Sequence, residues 1–245
     1  MKQSPWIERV ASSSAEKRAE ILAHGAGGGG ERHVWKTHAP AQLAPWDAGM
    51  GAVPSNGARC IVVSRSPLDV CVSLFHHTRD STAFGCPDVD LEAFTELFLG
   101  GKVESGDYWA WHRGWWEASQ GVESAGKVLW VFYEDLIEDM EAQVRRIANF
   151  AGIDASNAVV AQVVQASEFK SMKRTFERVN SEKLARGESI KKNHIRAGKV
   201  GGWRGGEYGA VQRRRGEFTS RSAAMPEGFW SNTPARAEAL GQEEE

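Results

Sequence analysis

The stretch VVSRSPLDVCVSLFHH, residues 62–77, decides the fold class of this chain. It continues an apolar run at residues 59–64 (RCIVVS), which is bounded by turn residues and predicts a strand buried on both faces of a parallel sheet. A helix is predicted directly after it, because Ser66 suits the N-cap, Pro67 the first helical position and Asp69 the third. The stretch therefore predicts a β-strand that runs straight into an α-helix.

The rest of the chain repeats this alternation. A second buried strand is predicted at residues 127–133 (KVLWVFY). Helices are predicted at residues 90–99 and 106–120 before that strand, and at residues 140–151 after it, where Gly152 is placed to end the helix. Strands that alternate with helices predict an α/β fold, with an open parallel sheet flanked by helices.

Length and composition predict one globular domain. The 245 residues are 41% hydrophobic and 25% charged, which suffices for one well-buried core. We place a single domain at residues 1–217 and a loose C-terminal tail at residues 218–245. The net charge of −2 argues against a general nucleic-acid binder. Residues 170–215 nevertheless hold 14 Lys or Arg and 4 Glu, and this stretch is either a solvated basic face or a surface that meets an anion.

Cysteine usage and hydropathy predict a soluble, cytoplasmic protein. The three cysteines are odd in number and lack CxxC spacing, which favours reduced thiols. No apolar run approaches the length of a membrane span, and residues 1–14 have neither the basic nor the apolar region of a signal peptide. We therefore expect no membrane partner.

Arg65 is the first candidate for function. It lies at the carboxyl end of the first predicted strand, where open α/β sheets bind ligands, and it precedes a helix N-terminus with free N–H groups. Ser73, seven residues beyond Ser66, faces the same side of that helix. An arginine, a helix N-terminus and a hydroxyl together predict a phosphate site. The alternative is a purely structural ion pair between Arg65 and Asp69.

These residues resemble a known family. Residues 65–70 (RSPLDV), followed by residues 72–77 (VSLFHH), resemble the signature of the cytosolic-type sulfotransferases, which use 3′-phosphoadenosine 5′-phosphosulfate (PAPS). Four further segments agree in order and spacing: residues 36–40 (KTHAP), residues 131–136 (VFYEDL), residues 167–172 (SEFKSM), and residues 196–198 (RAG) with 202–204 (GWR). The resemblance covers about residues 5–205, and ordered segments are more specific than any single motif.

The resemblance implies a P-loop-NTPase-like sulfotransferase fold and a role for each matching residue. It implies that the 3′-phosphate of PAPS is bound by Arg65, Ser73, Arg196 and Gly198. It implies that the adenine is bound by Tyr133, Ser167 and Phe169. It makes His38 the general base for the hydroxyl or amine of a small acceptor, and Lys36 a positive charge beside the transferring group. PAPS is then the co-substrate, while the acceptor and the oligomeric state stay open.

The chain also departs from the family. The family's first strand, its phosphosulfate-binding loop and the following helix have no counterpart here, so we expect an N-terminally incomplete domain. Ala197 replaces a family lysine, which should weaken the 3′-phosphate contact. The alternative function is therefore a non-catalytic module that binds PAP, the product nucleotide, or an inactive truncated sulfotransferase. A P-loop kinase is disfavoured because no G-x-x-x-x-G-K-[ST] segment exists, and a nucleic-acid binder is the weakest hypothesis.

Two other groups of residues have competing interpretations. The tryptophans of the third predicted helix are either core packing or the wall of an apolar acceptor pocket, and core packing is preferred: Trp109, Trp111, Trp115 and Trp116. His76 and His77 have no metal-ligand partners at useful spacing and are interpreted as surface or packing residues, so no metal is predicted.

Overall fold

The computed structural model of the chain describes residues 14–16, 34–43, 58–80, 88–121, 126–188 and 195–230. Two strands in this part form a parallel pair, β1 (Cys60–Ser64) and β2 (Val128–Phe132), with Cys60 opposite Val128 and Ser64 opposite Phe132. Both strands are rich in the β-branched and aromatic residues that suit a pleated, buried surface. The parallel pairing confirms the prediction from the two apolar runs.

The strand β1 is buried on one face rather than on both. Val62 and Ser64 are buried, whereas Ile61 is 43% exposed and Val63 is 60% exposed. Successive side chains of a strand point to opposite faces, and the helices in the described part of the chain cover the face with Val62. The continuous apolar run therefore predicted the strand correctly but not the burial of both its faces.

Helices surround this pair of strands. The α-helices of the described residues are α1 (Pro67–Asp80), α2 (Leu91–Leu99), α3 (Tyr108–Gln120), α4 (Tyr133–Glu138), α5 (Met140–Ala151), α6 (Asn157–Ser167), α7 (Phe169–Ala185), α8 (Gly209–Arg213) and α9 (Arg215–Ala223). Short 3₁₀ turns occur at Ala41–Leu43, Gly202–Arg204 and Gly206–Tyr208. Among the described residues, no helix has both the length and the hydrophobicity that a bilayer crossing requires.

Local signals in the sequence fix the ends of several helices. Asp90, Asp107 and Asp139 each accept a hydrogen bond from the backbone N–H three residues later, at the N-termini of α2, α3 and α5. Gly152 ends α5 with a φ of 64°, in the left-handed region that favours glycine. Pro67 is the first residue of α1, so β1 and α1 are separated by Arg65 and Ser66 alone.

The core is an aromatic cluster on one side of the strands. The ring of Phe229 packs edge-on against Trp130 with centroids 5.1 Å apart and against Trp230 at 4.5 Å. On the next layer, Phe98 stacks on Phe218 at 5.8 Å. Trp109 and Trp115 are buried in the same cluster, as the preferred interpretation of these tryptophans expected, while Trp111 and Trp116 are partly buried at its edge.

The chain after residue 217 does not begin as a loose tail. Phe218 is fully buried within α9, and Phe229 and Trp230 lie in the aromatic core. Trp109 Nε1 donates to Ser222 Oγ at 3.2 Å. The prediction of a tail at residues 218–245 is therefore wrong as far as residue 230, and residues 231–245 lie outside the described part. Isolated aromatics between polar residues form no periodic pattern, so this packing could not be predicted from local periodicity.

Candidate functional site

Arg65 lies where the sequence places it, between the carboxyl end of β1 and the N-terminus of α1. Its Nη2 donates to Asp69 Oδ2 at 2.9 Å and to the backbone carbonyl of Lys199 at 2.7 Å. Its guanidinium carbon lies 4.3 Å from the ring centroid of Tyr133, so the cation stacks on that ring. The Nε of Arg65 is buried and has no hydrogen-bond partner among the residues that the structure describes. The ion pair with Asp69, considered above as the structural alternative, is therefore formed. Arg65 also contacts two segments that the resemblance assigns to the nucleotide, the late loop at Lys199 and the segment with Tyr133.

Asp69 does more than pair with Arg65. Its side chain is 2% exposed, and its carboxylate also accepts hydrogen bonds from the backbone N–H of Gly201 at 2.9 Å and of Trp203 at 3.0 Å. Three hydrogen bonds to one buried carboxylate compensate the loss of its hydration. Asp69 therefore fixes the late Gly-rich loop, residues 196–204, against the first turn of α1.

Two residues at the end of β2, Tyr133 and Glu134, join Arg65 and Asp69, and we call these four residues the Arg65 junction. Tyr133 begins α4 directly after β2, and the adjacent Glu134 accepts a hydrogen bond from the backbone N–H of Ser66 at 2.8 Å. Burial raises the pKa of Glu134 to about 7, against the lowering effect of the Ser66 N–H. Burial also raises the pKa of Tyr133, and the positive charge of Arg65 opposes that shift. The carboxyl ends of the two parallel strands are thus tied together through a buried, titratable side chain.

The adenine-side segment meets the late loop through one close contact. Gly198 has a φ of 62°, and a Cβ at this position would lie 2.3 Å from Cδ2 of Phe169. Only glycine satisfies both the backbone conformation and this approach. Ser167 ends α6 and Phe169 begins α7, so the turn between the two helices presents the ring to the loop. The structure therefore brings Phe169, Gly198 and the Arg65 junction into one region, since Lys199 contacts Arg65.

Arg196 lies at the start of the same loop and contacts a residue that the sequence did not single out. Its Nη1 donates to Tyr208 Oη at 3.0 Å, and the same hydroxyl lies 3.1 Å from Nε2 of His76. His76 is three residues after Ser73 on α1, and residues at this spacing share a face of a helix. Ser73 itself is exposed. Helical spacing from Ser73 could have drawn attention to His76, but nothing in the sequence connects it to Tyr208.

The segment with the candidate base lies on α3. The indole of Trp111 donates to the carbonyl of His38 at 3.0 Å, and that of Trp115 donates to the carbonyl of Ala39 at 3.2 Å. Both His38 and Lys36 have exposed side chains. The first residue of α3, Tyr108, donates its hydroxyl to the carbonyl of Arg65 at 2.6 Å. The helix α3 therefore connects the backbone of the His38 segment to that of Arg65.

The described residues hold no group of three or more His, Cys, Asp or Glu side chains that could bind a metal ion. The residues around Arg65 present arginines, aromatic rings and backbone N–H groups. Guanidinium groups pair with phosphate, and aromatic rings stack on a base.

Comparisons with known proteins identify the family of this chain. A family model described as the sulfotransferase domain matches residues 2–219. Sulfotransferase 1C2 of Oryctolagus cuniculus is 30% identical over 176 residues, which cover 70% of this chain and 55% of that protein. The chain thus spans little more than half the length of this curated relative.

Solved structures show the same fold. The crystal structure of mouse sulfotransferase SULT7A1 complexed with PAP superposes with a TM-score of 0.58 at 25% identity, covering 79% of this chain and 66% of that one. Retinol dehydratase in complex with androsterone and the inactive cofactor PAP superposes with a TM-score of 0.61 at 22% identity, covering 86% and 61%. The predicted α/β sulfotransferase fold is confirmed. With a family model that matches nearly the whole chain, the protein belongs to the sulfotransferase family.

Proposed function

We propose that the protein binds PAPS and transfers its sulfuryl group to the hydroxyl or amine of a small acceptor. One observation carries the proposal: the guanidinium of Arg65 stacks on Tyr133 and donates to the loop at Lys199, with Asp69 fixing the same loop. An arginine so placed joins a phosphate site to an aromatic ring suited to a base.

The residues fit the adenosine 3′-phosphate part of PAPS. A guanidinium carries five N–H donors in a planar fork that matches the oxygens of a phosphate, and the side chain of Arg65 is 24% exposed. Arg196 supplies a second cation from the loop, and Ser73 a hydroxyl from α1. For the adenine, the ring of Tyr133 lies against the guanidinium of Arg65, and the ring of Phe169 lies against Gly198 of the late loop. When bound, PAPS supplies the activated sulfuryl group.

For the transfer itself we propose His38 as the general base and Lys36 as the nearby positive charge. An imidazole titrates near neutral pH, which suits it to take the proton of an acceptor hydroxyl or amine. The two indole donors on the carbonyls of His38 and Ala39 hold the backbone of this segment on α3. A fixed backbone restricts where the imidazole can reach, and sulfuryl transfer depends above all on such positioning.

A small-molecule acceptor fits the comparisons, since the structure of retinol dehydratase contains androsterone. The free thiols of Cys60 and Cys71 agree with a reducing compartment, and we propose the cytoplasm as the place of action. A second candidate function is a PAP-binding module without transfer. The observation in its favour is that Arg65, Tyr133, Phe169 and Gly198 lie in one region, and the resemblance assigns all four to the adenosine 3′-phosphate half of the nucleotide.

Calorimetric titration with PAP tests the proposal first. We expect saturable binding that Arg65→Ala weakens by about tenfold or more, because a charged hydrogen-bonding partner of the phosphate is lost. The matched control is Arg145→Ala, which removes an exposed arginine that pairs with Glu141 on α5. Absence of PAP binding by the unmodified chain would refute both candidate functions.

Transfer of labelled sulfate from PAPS to a phenol and to an aromatic amine separates the two candidates. Turnover that His38→Ala abolishes supports the sulfotransferase. Tight PAP binding without turnover on either acceptor supports the binding module instead.

A further inference from the structure

A hydrogen-bonded relay of Arg196, Tyr208 and His76 links the late loop to α1. Its centre is the hydroxyl of Tyr208, whose ring is buried with 5% exposure. Arg196 Nη1 lies 3.0 Å from this oxygen and His76 Nε2 lies 3.1 Å from it. The rings of His76 and Tyr208 also meet edge to face with centroids 5.9 Å apart. Of these three residues, Tyr208 lies beyond residues 5–205, the stretch over which we described the family resemblance.

We infer that Tyr208 is a positioning residue for the 3′-phosphate of the nucleotide, acting by holding Arg196 beside the face of α1 that carries Ser73. The inference rests on the proposed function, since it takes Arg196 to be a phosphate ligand. It adds a residue that neither the resemblance nor the comparisons assign.

The chemistry of the three groups fixes the direction of the essential bond. Arginine only donates hydrogen bonds, so the lone pairs of the Tyr208 oxygen must face Arg196. The single hydrogen of the hydroxyl then goes to an acceptor on its other side, either Nε2 of a neutral His76 or the carboxylate of Glu207, which also interacts with the hydroxyl. In both arrangements the bond from Arg196 is the same.

The charges around His76 favour its neutral form. Burial lowers the pKa of His76, and the positive charges of Arg196 and Arg79 lower it further against the raising effect of two carboxylates, Asp80 and Glu207. A neutral imidazole adds no positive charge that would repel Arg196. The guanidinium can therefore remain beside α1 before the nucleotide arrives.

Holding Arg196 in place lowers the cost of binding. Arg196 is exposed, and an arginine that is free to rotate loses side-chain conformational entropy when a ligand fixes it. A buried tyrosine that already restricts the guanidinium removes part of this cost. Tyr208 also places its ring 5.8 Å from the guanidinium carbon, so the ring and the hydroxyl restrain the same side chain.

The test compares two probes, adenosine 3′-monophosphate and adenosine, by calorimetric titration of the whole chain. Tyr208→Phe keeps the ring and removes only the hydroxyl. We expect it to weaken binding of adenosine 3′-monophosphate by about fivefold, the loss of one charge-assisted hydrogen bond, and to leave adenosine binding unchanged. Ser181→Ala is the matched control, because it also removes a single hydroxyl, an exposed one that donates to the carbonyl of Glu177 within α7, and it should not weaken either ligand.

A double-mutant cycle shows whether Tyr208 acts through Arg196. In an Arg196→Ala background, Tyr208→Phe should no longer change the affinity for adenosine 3′-monophosphate. His76→Leu provides a second, independent variant should Tyr208→Phe unfold, and it should weaken the same ligand by about twofold through the loss of one partner of the hydroxyl.

Three outcomes of these titrations would contradict the inference about Tyr208. If Tyr208→Phe weakens both ligands equally, or weakens the phosphorylated one by the same factor without Arg196, the residue has a structural role and the inference is overturned. If the unmodified chain prefers adenosine 3′-monophosphate to adenosine but Tyr208→Phe leaves that preference intact, the inference alone fails. If the unmodified chain shows no preference, the proposed function fails with it.

Discussion

Replacing Gly198 by alanine tests the central contact of the site, the approach of the late loop to the ring of Phe169. Gly198 combines a φ of 62° with a position where a Cβ would lie 2.3 Å from Phe169 Cδ2. Gly187 provides the matched control. It has a φ of 71° after α7, and nothing lies within 4 Å of its added Cβ. The two variants share the conformational penalty and differ in the steric overlap alone.

The expected magnitudes follow from this difference. An alanine in the left-handed region costs about 1 to 2 kcal/mol, and both variants should lose this amount of unfolding free energy. At Gly198 the methyl group must also displace the ring or the loop backbone, and overpacking of this kind costs about 1 to 3 kcal/mol more. Because the displaced ring is a candidate adenine contact, Gly198→Ala should weaken PAP binding by about tenfold, within the range measured for loss of one base–aromatic stack.

Urea unfolding and calorimetric titration with PAP are the two assays. Gly187→Ala should lose stability but bind PAP as the unmodified chain does, whereas Gly198→Ala should lose more stability and most of its affinity. Equal losses of stability in the two variants, with PAP affinity unchanged in both, would show that the loop does not press on Phe169 and would refute the contact as part of the site.

Three further predictions concern the junction and the candidate base. Asp69→Ala removes the acceptor of two backbone N–H groups and of Arg65, so urea unfolding should show a loss of about 3 kcal/mol, and a loss below about 1 kcal/mol would contradict its role. The pKa of Glu134 is raised to about 7, so the folded state binds this proton more tightly than the unfolded chain does, and stability should fall as the pH rises from about 4.5 to 7. In urea titrations at several pH values, Glu134→Gln should remove about 2 kcal/mol of that fall, and parallel pH curves for the two proteins would contradict this prediction. His38→Ala should lower kcat by about a hundredfold or more and leave the affinity for PAP unchanged; activity close to that of the unmodified protein would remove His38 from the mechanism.

The elements with strong local signals could be predicted from the sequence. The run before Arg65 and the run before Tyr133 both formed strands, and they pair in parallel. Pro67 begins α1, Asp90 caps α2, and Gly152 ends α5, because each residue acts on its own few neighbours. These signals need no knowledge of the rest of the chain.

The contacts that could not be predicted join residues far apart in the sequence. Tyr208 and His76 are 132 positions apart, and neither lies in a pattern that indicates the other. The burial of Phe218 and Phe229 depends likewise on aromatic partners from several elements, which no local period reveals. For the site residues, the family resemblance predicted roles, while the distances between Phe169, Gly198 and Arg65 required the structure.

The two interpretations of Arg65 turn out to be compatible. A purely local ion pair would need only the first turn of α1, but Asp69 also accepts hydrogen bonds from the backbone N–H groups of Gly201 and Trp203. The pair therefore holds the loop that carries Arg196 and Gly198, and the same guanidinium stacks on Tyr133. The ion pair is thus better understood as the support of the proposed nucleotide site than as an alternative to it.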